Sequence, residues 1–217
     1  LAWREHAKRQ ARNRLVNGLV ALHEGRHARA EALLAKAAED DDARIVARIA
    51  AREAATRRGD LLSAAAHQTE LTQHAPALAA LRNAELLLEQ AQPLESLAVL
   101  QPQVDDKSLG PRGLLLRAEA LVATQRAGEA LALMDAIRAG QGLSPDAVTA
   151  LERRWQAAAL AQSPDADDLQ QRWRALPVRL QECDEVIAAY AARAATLGLE
   201  AEAATALAEA IDRQWSD

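Results

Sequence analysis

The sequence predicts an all-α fold, a solenoid of antiparallel helix pairs, and three observations predict it. Half of the 217 residues are apolar, but alanine and leucine supply most of that half, Phe is absent, and strong helix formers far outnumber β-branched residues. Small residues recur at intervals of twelve and seven, as Gly18, Ala30, Ala37 and again as Ala191, Ala203, Ala210. Turn positions recur too: Gly25 and Gly59 lie 34 residues apart, and Ala91 and Gln125 follow at 32 and then 34.

The small-residue triplet is what paired helices need when they touch backbone to backbone. Weaker copies stand at Ala84, Ser96, Gln103, at Ala118, Ala130, Ile137 and, more degenerate, at Arg52, Ala64, Leu71, so the unit is iterated about five times. A period near 34 residues is the tetratricopeptide signature, one helix-turn-helix per unit. Glycine suits the turn because it takes positive φ at no steric cost.

In order along the chain, the first helix runs from about Trp3 to Gly25, with Leu15, Leu19 and Leu22 at helical spacing, and HARAEALLAKAAE is its partner. Asp40, Asp41 and Asp42 break the pattern before a helix over 43–58 and its partner over 61–74, closed by Pro76. Helices over 77–90 and 94–101 follow, with Pro93 in a first turn. Pro102 and DDKSLGPRG form a polar break, and the fourth pair covers about 113–139. Ser144 as cap and Pro145 in the first turn predict a helix over 145–161. SPDAD starts another over 169–175, Pro177 interrupts, and the last pair turns at Gly198. The organisation is one superhelical domain over 1–217, with repeats at about 11–42, 45–76, 77–104 and 111–139, an atypical helix pair at 145–183 and a last repeat at 184–213.

Charge and cysteine content bound the function. A net charge of −5, from 26 basic and 31 acidic side chains, gives no nucleic-acid footprint, although Arg4, Lys8, Arg9, Arg12 and Arg14 make the first segment locally basic. The lone Cys183 excludes an intramolecular disulfide and a multi-cysteine metal site, and no apolar run is long enough to span a bilayer.

LVNGLVALHEGRHARAEALLAKAA at 15–38, AELLLEQAQPLESLAVL at 84–100, LERRWQAAAL at 151–160 and QQRWRALPVRL at 170–180 carry a resemblance to a known family. With these segments the chain resembles the C-terminal region of the HemY family, tetratricopeptide proteins of bacteria associated with late haem biosynthesis. Ala91 and Gln125 stand where that family usually has glycine, and Pro93 replaces an aromatic. The resemblance implies N-terminal helices that hold the protein in the inner membrane, with the repeats on the cytoplasmic side, where juxtamembrane Arg and Lys favour them. It implies haem-pathway enzymes as partners and makes haem or porphyrin a conceivable ligand.

His23, Glu24 and His27 spell H-E-x-x-H, a zinc-hydrolase motif only on a continuous helix, and Gly25 places a turn inside it. His67 and His74 sit two helical turns apart and could face one way as haem ligands, but exposed helix residues are the commoner meaning of lone histidines. In tetratricopeptide arrays the first helix of each pair lines the concave groove. Its offsets map onto Arg12, Leu15, Leu19 and His23, then Val46, Ile49, Glu53 and Arg57, then Leu81, Glu85 and Glu89, then Arg112, Leu115 and Glu119. Such a surface suits an amphipathic helix or an extended peptide. Cys183 reads as a packed residue and Met134 as core filler, while Trp155 and Trp173 read as anchors of the atypical pair. No phosphate loop, nucleophile elbow or paired-carboxylate arrangement appears, so an enzyme is disfavoured. The reading is a scaffold for a protein partner without catalysis or metal, with a haem carrier and a zinc hydrolase as alternatives.

Overall fold

A computed structural model of the chain describes residues 2–101 and 106–214. Its helices are α1 (Ala2–His23), α2 (His27–Ala37), α3 (Arg44–Arg58), α4 (Leu61–His74), α5 (Pro76–Glu89), α6 (Pro93–Leu100) and α7 (Asp106–Ala123). There follow α8 (Ala127–Leu131), α9 (Met134–Ala139), α10 (Pro145–Ala161), α11 (Ala166–Ala175), α12 (Val178–Gln181), α13 (Asp184–Thr196) and α14 (Glu200–Gln214). The fold is all-α, a solenoid-like run of helices packed in consecutive pairs, with no strand among the described residues. Pro102, Gln103, the end of the third repeat at 104, and Trp215 lie outside the described residues.

One turn geometry closes the first helix of most pairs. Gly25, Gly59 and Gly198 have φ of 76°, 80° and 77°, and Ala91 and Gln125 adopt the same left-handed region at 56° and 62°. The following amide reaches five residues back each time: Asp60 N–H donates to the Ala55 carbonyl at 2.9 Å, Gln92 to Leu87 at 2.8 Å and Arg126 to Leu121 at 2.8 Å. This backbone cap satisfies a carbonyl that the helix end would orphan. A Cβ makes the left-handed conformation costly, by roughly 1–2 kcal/mol. Glycine's greater freedom in the unfolded chain takes back part of that. Ala91→Gly and Gln125→Gly are therefore each expected to stabilise the protein, by about 0.5–1 kcal/mol, read as a higher urea midpoint at unchanged slope. A lower midpoint for both would mean that these turns carry no strain.

Contacts divide the chain into two units, residues 1–83 and 84–217, with the boundary inside α5. In the first unit α1 packs on α2, α2 on α3 and α3 on α4, and α1 also touches α3. Its core is made largely of alanine: Ala30, Leu34, Ala37, Ala47, Ala51, Ala54 and Ala55 are all 0% exposed. Gly18 lets α1 approach α2, since a Cβ there would stand 2.7 Å from Leu34 Cγ. Gln68 Nε2 on α4 donates to the Ala79 carbonyl of α5 at 3.1 Å.

In the second unit Ser96 Oγ on α6 donates to the Ala84 carbonyl of α5 at 3.0 Å, so a buried hydroxyl at the small-residue position finds a partner in the facing backbone. α7 breaks at Gly110 (φ 60°, ψ 178°), and the regular helix opens with Pro111. Within the fourth pair, expected over about 113–139, the second helix is split at Ala132–Leu133 into α8 and α9. Ser144 Oγ accepts from Ala147 N–H at 3.2 Å and Pro145 opens the first turn of α10, whose bounds are those expected. α10 packs mainly on α8 and α13, and α13 on α14.

The triplet positions are where the helices meet. Gly18, Ala30, Ala37, Arg52, Ala64, Leu71, Ala84, Ser96, Ala118, Ala130, Ile137, Ala191 and Ala203 are all buried, and Ala210 is half-buried. The twelve-residue step spans a turn and the seven-residue step spans two turns of the second helix, so both steps return to one contact face.

Candidate functional site

The face left by α1 and α3 follows from what those helices bury. On α1, Ala11, Gly18, Ala21 and Leu22 turn inward, which leaves Arg12, Val16, Leu19, Val20 and His23 exposed. Leu15 does not join them, because it is half-buried against the two alanine-rich core clusters of this unit. On α3, Ala47, Ala50, Ala51 and Ala54 are buried, and Val46 is left 51% exposed with Ile49 half-buried beside it. The result is a strip of aliphatic side chains at solvent, with Val16, Leu19 and Val20 at 53, 39 and 49% exposure.

The charged residues expected beside it are engaged within the chain. Glu53 receives Arg57 at 2.7 Å and Arg82 at 3.6 Å. In the second unit Glu85 pairs with Arg112, and Glu119 lies 3.8 Å from Arg154. Each carboxylate thus faces an arginine on the next first-position helix. Arg82 and Arg154 are neighbours of these carboxylates that the spacing argument missed, and opposite charges about one repeat apart were the available signal. Such partly exposed pairs contribute at most about 1 kcal/mol each. Their consequence is that each of these carboxylates already faces a cation within the chain. Leu81 is half-buried, Leu115 packs against the core of α7–α10, Arg57 and Arg112 are exposed, and Glu89 stands exposed at the end of α5.

The histidines resolve differently from one another. α1 ends at His23 and α2 begins at His27, so the two imidazoles of H-E-x-x-H stand on different helices and the geometry that motif needs is absent. Among the described residues no group of three His, Cys, Asp or Glu side chains is placed to hold a metal ion. His74 is exposed at the end of α4, as expected, but His67 is buried at 7% exposure, which corrects the expectation of two exposed rings. Arg48 Nη1 stands 3.0 Å from His67 Nδ1, Glu31 3.5 Å from Nε2, Arg48 binds Glu70 at 2.7 Å and Arg58 binds Glu31 at 2.8 Å. These groups line a cleft of about 360 Å³ among α2, α3 and α4. Burial lowers the His67 pKa, the Arg48 cation lowers it further, and Glu31 pulls against them. The ring is therefore held neutral, with Nδ1 accepting from Arg48 and Nε2–H facing Glu31. Both nitrogens are engaged, which makes the network a polar tie across three helices. No sequence pattern announced it, because its members come from three elements.

The two interior tryptophans do not anchor one pair to itself. Trp155, 0% exposed, sits in a core with Leu114, Leu121, Met134 and Val148. Trp173 packs with α13, stacked on Tyr190 at 4.2 Å between centroids and 21° between planes. The ring size expected for an atypical pair is used instead to join α10 to the helices before it and α11 to the helix after it. Cys183 is half-buried at the start of α13, its Sγ 3.3 Å from the Arg179 carbonyl, and Met134 is core as expected.

Fold and surface together define a helical-repeat protein with an exposed aliphatic strip bordered by charge. Among known proteins, no family model, no curated protein and no solved structure matches the chain. No helix among the described residues is long and apolar enough to cross a membrane.

Proposed function

We propose that the chain is a non-catalytic scaffold that holds a protein partner against the first-position helices of its repeats. The observation that carries this reading is the exposed strip of Val16, Leu19 and Val20, with Val46 on α3, in a unit that otherwise buries alanine. Clustered exposed aliphatics rimmed by charge are how soluble helices receive amphipathic segments. The resemblance of the four quoted segments to HemY supports a place in late haem or porphyrin biosynthesis at the bacterial inner membrane. In that reading the repeats lie on the cytoplasmic side of the inner membrane, and the partners are haem-pathway enzymes.

Affinity capture from a bacterial membrane extract tests it. Leu19→Asp combined with Val46→Asp is expected to reduce captured partner about tenfold or more while the melting temperature stays near that of the unaltered protein, since exposed substitutions typically change stability by about 0.5 kcal/mol or less. Undiminished capture by the double variant would remove the strip from the binding surface. Charge reversal at Glu85 is a poorer test, because it sets two guanidinium groups against each other at Arg112.

A further inference from the structure

A second surface, in the other unit, has a different chemistry. Helix α14 runs past the Trp173–Tyr190 stack and leaves an open cleft of about 340 Å³, with the two rings on one side and Glu202, Thr205 and Glu209 on the other. Glu202 and Glu209 are seven residues apart, two helical turns, and so present their carboxylates along one face. Both are exposed, and neither has an ion-pair partner among the described residues. Thr205 Oγ1 is already committed, donating to the Ala201 carbonyl at 2.9 Å.

Tyr190 forms part of the aromatic wall of the cleft. Its side chain is only 4% exposed and lines the cleft beside Trp173. Burial and the Glu202 carboxylate both raise its pKa, so the hydroxyl stays protonated at neutral pH. The competing cation nearby, Arg174, is tied along its own helix, with Nη2 donating to Gln170 Oε1 at 3.3 Å.

We propose that the cleft formed by Trp173, Tyr190, Glu202 and Glu209 receives an arginine side chain of a peptide segment. A planar guanidinium stacks on aromatic rings and bonds carboxylates through a fork of donors, so the rings and the two acids ask for one ligand group. An ammonium satisfies the acids but not the platform, and an anion is repelled by both carboxylates. The site is built only from residues of the second unit and does not depend on the aliphatic strip of the first.

The probe is a fluorescein-labelled glycine-serine heptapeptide carrying two arginines, titrated against the full chain by fluorescence anisotropy at low salt. Binding with a dissociation constant below about 1 mM is expected, weakened about tenfold by Glu202→Gln with Glu209→Gln and at least as much when citrulline replaces the arginines. Trp173→Leu is expected to weaken it similarly, and Glu185→Gln, on the outer side of α13, to leave it unchanged. The double glutamine variant alters only exposed side chains, so its circular dichroism should match the parent. Equal affinity for the citrulline peptide, equal affinity of the double variant, or no binding up to about 1 mM would each overturn the assignment. Loss of partner capture in Leu19→Asp with Val46→Asp leaves this titration untouched, so the two proposals fail separately.

Discussion

Trp155→Ala is expected to destabilise the second unit by about 3–5 kcal/mol, the largest loss that any single truncation in this chain should give. The side chain is fully buried and is the one large ring in a core otherwise made of Leu114, Ala118, Leu121, Ala130, Met134, Ile137 and Val148. It stands beside the broken partner helix, where α8 gives way to α9, and fills volume that an unbroken helix of alanines would have closed by direct approach. Removing it leaves a cavity among helices whose backbones are already fixed by their other contacts, and close-packed interiors relax only in part. Trp155→Phe separates this from polarity. The indole Nε1 is buried without a hydrogen-bond partner, so phenylalanine gives up ring volume but also removes a donor whose desolvation costs about 1–3 kcal/mol. The phenylalanine variant should then fall within about 1.5 kcal/mol of the parent in urea denaturation followed by circular dichroism. Hydrogen exchange in α7 and α10 should accelerate in the alanine variant first. Equal midpoints for parent and alanine variant would show that Trp155 is not packed as described.

How much of this could be read beforehand depends on what a linear pattern records. The small-residue triplets and the turns were legible because each is a property of one hairpin: the same two helices, a fixed connection, and a face that returns every seven residues. Even the imperfect turns at Ala91 and Gln125 were located by period alone, and both prove to have positive φ. The helix from Pro145 to Ala161 was legible from its own start signal. What could not be read lies between hairpins. Nothing in 145–183 says that α10 packs on α13 rather than chiefly on α11. His67 looked like a surface residue because Glu31, Arg48 and Glu70, which hold it, belong to other helices or to the opposite end of a turn. The groove assignment was partly legible for a related reason. Residues four apart on a helix differ by about 40° in direction, enough to leave Leu19 at solvent and turn Leu15 into the core. Offsets carried over from a repeat class do not resolve that angle. The arginines that occupy Glu53, Glu85 and Glu119 are likewise set by how successive pairs stack.

Gly18→Leu is expected to cost about 3 kcal/mol or more in the first unit, and the reason is geometric rather than conformational. Gly18 lies in the middle of α1, where glycine is a poor helix former, and replacement by alanine on an exposed face would gain roughly 0.5–1 kcal/mol. Here the added Cβ would stand 2.7 Å from Leu34 Cγ, 2.9 Å from Leu34 Cδ2 and 3.4 Å from Leu33 Cβ. Leu34 is 0% exposed and is backed by Ala30 and Ala51, also 0% exposed, so it cannot swing aside without disturbing the α2–α3 contact. Overpacking of such a crossing costs typically 1–3 kcal/mol for small insertions, which outweighs the propensity gain, so Gly18→Ala should also destabilise, by about 1 kcal/mol. Asn17→Ala, exposed on the same helix, should be neutral or stabilising and reports propensity alone. The decisive measurement is the cycle of Gly18→Ala with Leu34→Ala. Leu34→Ala alone should cost about 2–5 kcal/mol for its cavity. In the double variant the new methyl enters the space that the leucine vacates, so the two losses should fall short of additivity by about 1 kcal/mol or more. Strict additivity, or a Gly18→Leu protein that melts with the parent, would mean that α1 and α2 do not touch backbone to backbone at this crossing, and the spacing of twelve and seven would need another cause.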